Sequence, residues 1–156
     1  MPRTPDSPVA PRVSPPDLPE HLDDARPARG ADLLAARLRL DADADLAYAT
    51  LEQCTLCAEA DTVDLTGATL LDVEIVDSGI RTIDMPLAEL TRVRFTATRC
   101  DEVDPRGMKA VDVDLRGLDA VSYLDANSLR GATLTSFQVQ QLAPMLAAGI
   151  GILVTD

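Results

Sequence analysis

The sequence is poor in the residues that ordinary cores and most active sites need. It has two Phe, two Tyr and no Trp in 156 residues, so its interior must be assembled from small and branched side chains in a narrow space. It has one histidine, His21, set in a proline-rich stretch, which removes most histidine-dependent catalysis. Its three cysteines cannot all be paired, a usage that fits reduced thiols and a cytoplasmic location. No apolar run reaches the 18 residues of a membrane helix, and the first residues, MPRTPDSPVAPR, lack the apolar stretch of a secretory signal. A net charge of −12 argues against direct binding to nucleic acid or to an anionic membrane.

Composition divides the chain into three. Residues 1–30 hold eight of the eleven prolines and few apolar side chains, which predicts a disordered, proline-rich tail. Residues 31–40 (ADLLAARLRL) read either as a short amphipathic helical turn or as an irregular first coil, covering the open end of a repeat region. Together with those repeats, up to residue 134, they make the middle segment. Residues 135–156 read as a helical cap followed by a short apolar strand at 150–154.

From Ala42 the apolar residues recur every fifth position: Leu65, Leu70, Ile75, Ile80, Met85, Leu90, Phe95, Cys100. A second column runs two residues earlier through Val63, Ala68, Val73, Ser78, Ile83 and Ala88. A helix cannot hold a period of five on one face, and a flat strand changes face at every odd step. A chain that turns a corner every five residues can, with two residues per side pointing in and the one between them pointing out.

Ala44-Asp45-Leu46, Ala68-Thr69-Leu70, Ala88-Glu89-Leu90 and Ala132-Thr133-Leu134 resemble the repeat of the pentapeptide-repeat family. The resemblance covers about Ala42 to Leu134. It implies an all-β fold, a right-handed quadrilateral β-helix with four repeats per coil and residues twenty apart in register. At one strand spacing per coil the rod would stand about 22 Å tall. The stretch from Leu129 also resembles the C-terminal end of actinobacterial members, where the helix plugs the last coil or makes a dimer contact; Phe137, Leu142, Met145 and Leu146 are the residues so implicated.

Stacking at twenty residues places opposite charges over one another: Asp72, Arg92 and Asp112; Asp61, Arg81 and Asp101; Glu74, Arg94 and Asp114; Glu89 and Lys109; Arg99 and Asp119. One column is acid throughout, Asp64, Asp84 and Asp104, and is a candidate interaction face. Phase slips fall between Leu56 and Ala60 and after Ala120, where the coil should be least regular, and the inward Pro105 removes a ladder donor. Thr135 and Gln138 read as a capping box. Pro144 should kink the helix or start another, and Gly149 is the expected stop.

No catalytic, cofactor or metal constellation emerges. Cys54-Thr55-Leu56-Cys57 has C-x-x-C spacing, but there is no second pair, and Cys54 fills an inward position as a small hydrophobe. Gly67, Gly107, Gly117 and Gly131 read as corner residues with positive φ rather than as a phosphate loop. The sequence therefore points to a non-enzymatic, protein-binding scaffold without cofactor. An alternative that the resemblance implies is a duplex-DNA mimic that binds DNA gyrase. In its favour, residues 42–134 carry eighteen acids and eight bases, a net of −10. A purely structural role is a third reading.

Overall fold

The structure is a computed structural model that describes residues 11–156. Its centre is a parallel β-solenoid of about five turns, closed at one end by a helix. β1 (Asp23–Ala25) lies ahead of the first coil and stacks on it, and that coil contains β2 (Asp32–Leu34), β3 (Ala36–Leu40) and β4 (Ala44–Asp45). The second is dominated by β5 (Thr50–Asp64). The next two each use a pair of strands: β6 (Thr69–Val76) with β7 (Gly79–Asp84), then β8 (Glu89–Thr96) with β9 (Thr98–Asp104). The last is broken into β10 (Lys109–Val111), β11 (Val113–Asp114) and β12 (Leu118–Tyr123), and β13 (Ala132–Thr133) begins a further side.

Every ladder between these strands is parallel, and the register states the coil length. Ile75 pairs with Phe95 and Ile83 with Val103, twenty residues apart, as the repeat requires. The inward columns form one continuous core: Leu65, Leu70, Ile75, Met85, Leu90, Phe95 and Leu115 are almost fully buried. Phe95 is the one large ring wholly inside, which is how a chain so short of aromatics still fills its interior.

The first phase slip is real and local. Thr50 to Leu56 pair with Thr69 to Ile75 at a spacing of nineteen. In the two coils above, Asp77 and Ala97 turn this corner with positive φ; below them one residue is missing, and β5 runs on through the corner for fifteen residues. The second slip differs from expectation. The inward series carries on through Tyr123, which stacks on Val103 and is buried, while Leu124 is half exposed. The irregularity is an added residue. The turn closed by Met108 N–H to Pro105 O becomes, one coil later, one closed by Leu129 N–H to Ala126 O, twenty-one residues on. Pro105 itself opens that turn as Leu65 and Met85 open theirs, so its missing donor is tolerated at a corner.

One open reading is decided and two expectations are corrected. Of the two readings of residues 31–40, the early coil is the one found: they form β2 and β3, which pair with β5 at a spacing of eighteen. The described part of the proline-rich segment, residues 11–30, is not free: β1 pairs with β3, and the Asp17 N–H donates to Asp72 Oδ1 at 3.0 Å while Gln53 Nε2 donates to Asp17 O at 3.3 Å. Residues 1–10 lie outside the described residues. No strand forms at 150–154, where the side chains are exposed.

α1 (Ser136–Gly149) starts at the expected capping box. Gln138 N–H donates to Thr135 Oγ1, and Thr135 N–H to Gln138 Oε1 at 2.7 Å. It runs unbroken through Pro144. Its stop is Gly151 rather than Gly149. Gly151 has φ of 83°, its N–H bonds Ala148 O, and Ile152 N–H bonds Ala147 O, the hydrogen-bond pair of a Schellman motif.

Candidate functional site

The acidic column is built into a corner. Asp45, Asp64, Asp84 and Asp104 stand in parallel register, one per coil. Each precedes a β-turn, and the carboxylate braces that turn by accepting the N–H two residues on: Ala47 for Asp45, Thr66 for Asp64, Arg106 for Asp104. This is the Asx arrangement that favours Asp at such corners. Asp84 is the exception, since the residue two on is Pro86, which has no N–H to give.

The column is also unevenly neutralised. Arg106 grips Asp104 through Nε and Nη2 at 2.8 and 2.7 Å, and this pairing holds the Asp104 carboxyl below its ordinary pKa. Arg29 lies 3.6 Å from Asp45. Among the described residues no cation comes within salt-bridge distance of Asp64 or Asp84. Burial, and then the charges of Asp64, Asp104 and Glu102, push the Asp84 pKa up.

The predicted charge columns form in part. Arg92 clasps Asp72 with two hydrogen bonds, Arg94 pairs with Glu74, Arg81 reaches Asp61 at 3.8 Å and Lys109 reaches Glu89 at 3.9 Å. Asp114 instead accepts from Nε and Nη2 of Arg116, two residues on. No bridge within 4 Å joins Asp112 to Arg92, Asp101 to Arg81 or Arg99 to Asp119 among the described residues.

Of the implicated cap residues, Leu142 is buried against the last coil and Met145 and Leu146 pack partly against the core. Phe137 is exposed. It lines a shallow groove between α1 and the coil with Arg116, Asp119, Tyr123, Gln138 and Gln141. Gln138 ties the two walls together: Nε2 donates to Leu115 O at 2.8 Å and to Leu118 O at 2.9 Å. The Tyr123 hydroxyl is buried without a partner among the described residues, and burial raises its pKa.

Cys54 and Cys100 are part of the buried core, and Cys57 is not. Cys54 is buried with its Sγ toward Glu52 O and Leu33 O, whereas Cys57 is half-buried and faces Asp77 O. Burial raises the Cys54 pKa and pushes that of Cys100 to about 11, so neither is a ready thiolate. Among the described residues, no group of three or more His, Cys, Asp or Glu side chains is placed to hold a metal ion.

Two surface features were not legible in the repeat pattern. One is the segment 131–155, which contains no charged residue in a chain of net charge −12, yet exposes Phe137, Val139, Ile150, Ile152, Leu153 and Val154. A count of charges along the chain would have found it. The other is a corner where Tyr48 and Leu87 adopt φ of 61° and 62° with their side chains exposed. Left-handed backbone in such residues costs about 1–2 kcal/mol.

No family model matches the chain, and no curated protein matches it. Among solved structures it is similar to two trypsin-treated variants of QnrB1, described as a plasmid-mediated fluoroquinolone resistance protein. The identity is 14% in both, over 85% of this chain and 89% of one and 96% of the other, with a TM-score of 0.21 in each.

Proposed function

We propose that the protein is a non-catalytic interaction scaffold that works through its surface, with a protein as partner and with two copies joined at their helical ends. The observation that carries this reading is the charge-free segment 131–155. Phe137 and Val139 on α1 and Ile150, Ile152, Leu153 and Val154 after it are exposed, Leu153 to 87%. Monomers seldom leave such a patch to water, and interface centres are depleted of charge in just this way. Two rods of net charge −12 repel along their sides, and a neutral end is where they can approach. The cytoplasm is the proposed location, in keeping with three free thiols.

Light scattering behind gel filtration tests the pairing. The expected result is a dimer that Phe137→Asp/Leu153→Asp converts to a folded monomer. A monomer at all concentrations up to about 0.5 mM would remove this reading of the helical end.

A second reading, duplex-DNA mimicry toward gyrase, draws support from the stacked Asp45, Asp64, Asp84 and Asp104. Arg29 and Arg106 neutralise both ends of that column, so it presents two free carboxylates rather than a continuous strand of them. Inhibition of gyrase supercoiling that disappears in Asp64→Lys/Asp84→Lys would reinstate it.

A further inference from the structure

At one corner of the rod the third turn residue has positive φ in five successive coils: Gly30, Tyr48, Gly67, Leu87 and Gly107. Glycine is the residue that this backbone favours, and alternate coils use it. The two exceptions are large and lie on the surface, Tyr48 57% and Leu87 66% exposed. Each lies along the rod over the glycine of the next coil. A Cβ on Gly67 would come within 2.7 Å of the Tyr48 ring, and one on Gly107 within 2.8 Å of Leu87 Cδ2. Small residues thus make room for large ones, and the result is a ridge of Tyr48, with the Arg29 guanidinium over its ring at 5.0 Å, and Leu87, with the half-buried Pro86 beside Leu87 in its turn. Folding does not call for it, since glycine serves the same corner above and below. Positive φ at non-glycine residues recurs at other corners, as at Ala35, Gln53, Asp72 and Arg92, so it is the size and exposure of Tyr48 and Leu87 that single this corner out.

The ridge runs beside the acidic column, each corner acid standing three residues before its ridge residue. Asp45 and Asp104 have their arginines. Asp64 and Asp84, between Tyr48 and Leu87, have none among the described residues, and Pro86 withholds from Asp84 the N–H that the other corners supply. An exposed ridge therefore borders two unneutralised carboxylates.

We propose that this corner docks a basic segment of a partner protein, which lays apolar side chains on Tyr48, Pro86 and Leu87 and presents an arginine or lysine to Asp64 and Asp84. The inference rests on the scaffold reading and names its surface and the chemistry of its partner.

The test uses the full chain labelled with nitrogen-15, titrated with an alternating arginine–leucine hexapeptide as the probe. Amide shifts are expected to concentrate at Tyr48, Thr66, Asp84 and Leu87. Tyr48→Gly/Leu87→Gly should weaken binding at least fivefold while melting no lower than the parent, because glycine relieves the corner. Asp64→Asn/Asp84→Asn should weaken it similarly, and a glutamine–leucine peptide should fail to bind. The proposal is overturned by no shifts with the arginine peptide, by shifts spread over Glu52, Glu59 and Glu102, or by affinity unchanged within twofold in the glycine variant. Light scattering on the same samples separates the two readings. Lost probe binding in an intact dimer removes the corner alone, and a monomer that still binds removes the helical-end pairing alone.

Discussion

The guanidinium of Arg92 closes on the carboxylate of Asp72 one coil away, Nε to Oδ1 at 2.7 Å and Nη2 to Oδ2 at 2.9 Å. The same Oδ1 receives the N–H of Asp17. One buried carboxylate thus joins two coils and the N-terminal arm. Asp72→Ala should leave the Asp17 amide unsatisfied and lower stability by roughly 1–3 kcal/mol. Hydrogen exchange checks it: the Asp17 amide should lose its protection in the variant, while amides of β8 and β9 keep theirs. Equal exchange at Asp17 in both proteins would show the arm to be held by something else.

Acid should act on the rod through carboxylates of opposite sign. Hydrogen bonds from Arg92, Arg106 and Arg116 hold Asp72, Asp104 and Asp114 below the ordinary 3.8. Their stabilisation is therefore complete above that value and is lost as pH falls through the lower folded values. Asp84 is raised, so its share is present below 3.8, disappears as pH rises through the folded value, and leaves a net cost at neutrality. The melting midpoint should be flat from pH 7 to 5 and fall steeply below about 4. Asp84→Asn should raise it by about 1–4 °C at pH 7, a gain that vanishes at pH 3. A gain that persists in acid would contradict this assignment.

Gln138 should be the residue on which the cap depends. Its side chain accepts from Thr135 N–H and donates to two carbonyls of the last coil. Gln138→Ala should cost roughly 1–3 kcal/mol and lower the urea midpoint. Gln138→Glu keeps the acceptor and loses both donors, so it should retain the start of α1 but loosen its docking, seen as exchange at Leu118 and Leu142 with helicity intact.

The glycines should differ in a way that φ alone does not foretell. Gly117 lacks the positive φ expected of it; its constraint is space, since a Cβ there would lie 2.3 Å from Phe95 O. Gly30 has φ of 68° and nothing within 4 Å of a Cβ. Gly117→Ala should cost about 2–3 kcal/mol by displacing backbone. Gly30→Ala should cost about 1 kcal/mol, and denaturant titration separates the two.

The solenoid was legible because its inward pairs repeat at a period that neither helix nor flat strand can keep. The twenty-residue stack, and with it Arg92 over Asp72 and Arg94 over Glu74, followed from that period together with the four repeats per coil that the family resemblance implies. Asp114 escaped that logic because the turn brace already points its carboxylate at residue 116, so Arg116 reaches it before Arg94 does. The arm escaped because a stretch of prolines gives no local sign of order, and its Asp17 finds a partner fifty-five residues away. The ridge of Tyr48 and Leu87 escaped for another reason. Both occupy variable places in the five-residue repeat, and only the glycines one coil to either side betray them.

The uneven register carries a consequence for how such a molecule can change size. Strands pair at spacings of thirteen, eighteen and nineteen residues near the beginning, then at twenty through the middle. The early layers are therefore graded to fit one position each, and the final layer is matched to its helix. Only the central layers are interchangeable. Duplicating residues 79–98 should lengthen the protein by about 4.8 Å and leave both ends as they are, whereas a copy of residues 31–48 placed at the start would find no layer of its own gauge to rest on. The middle is an adjustable spacer between two fixed fittings.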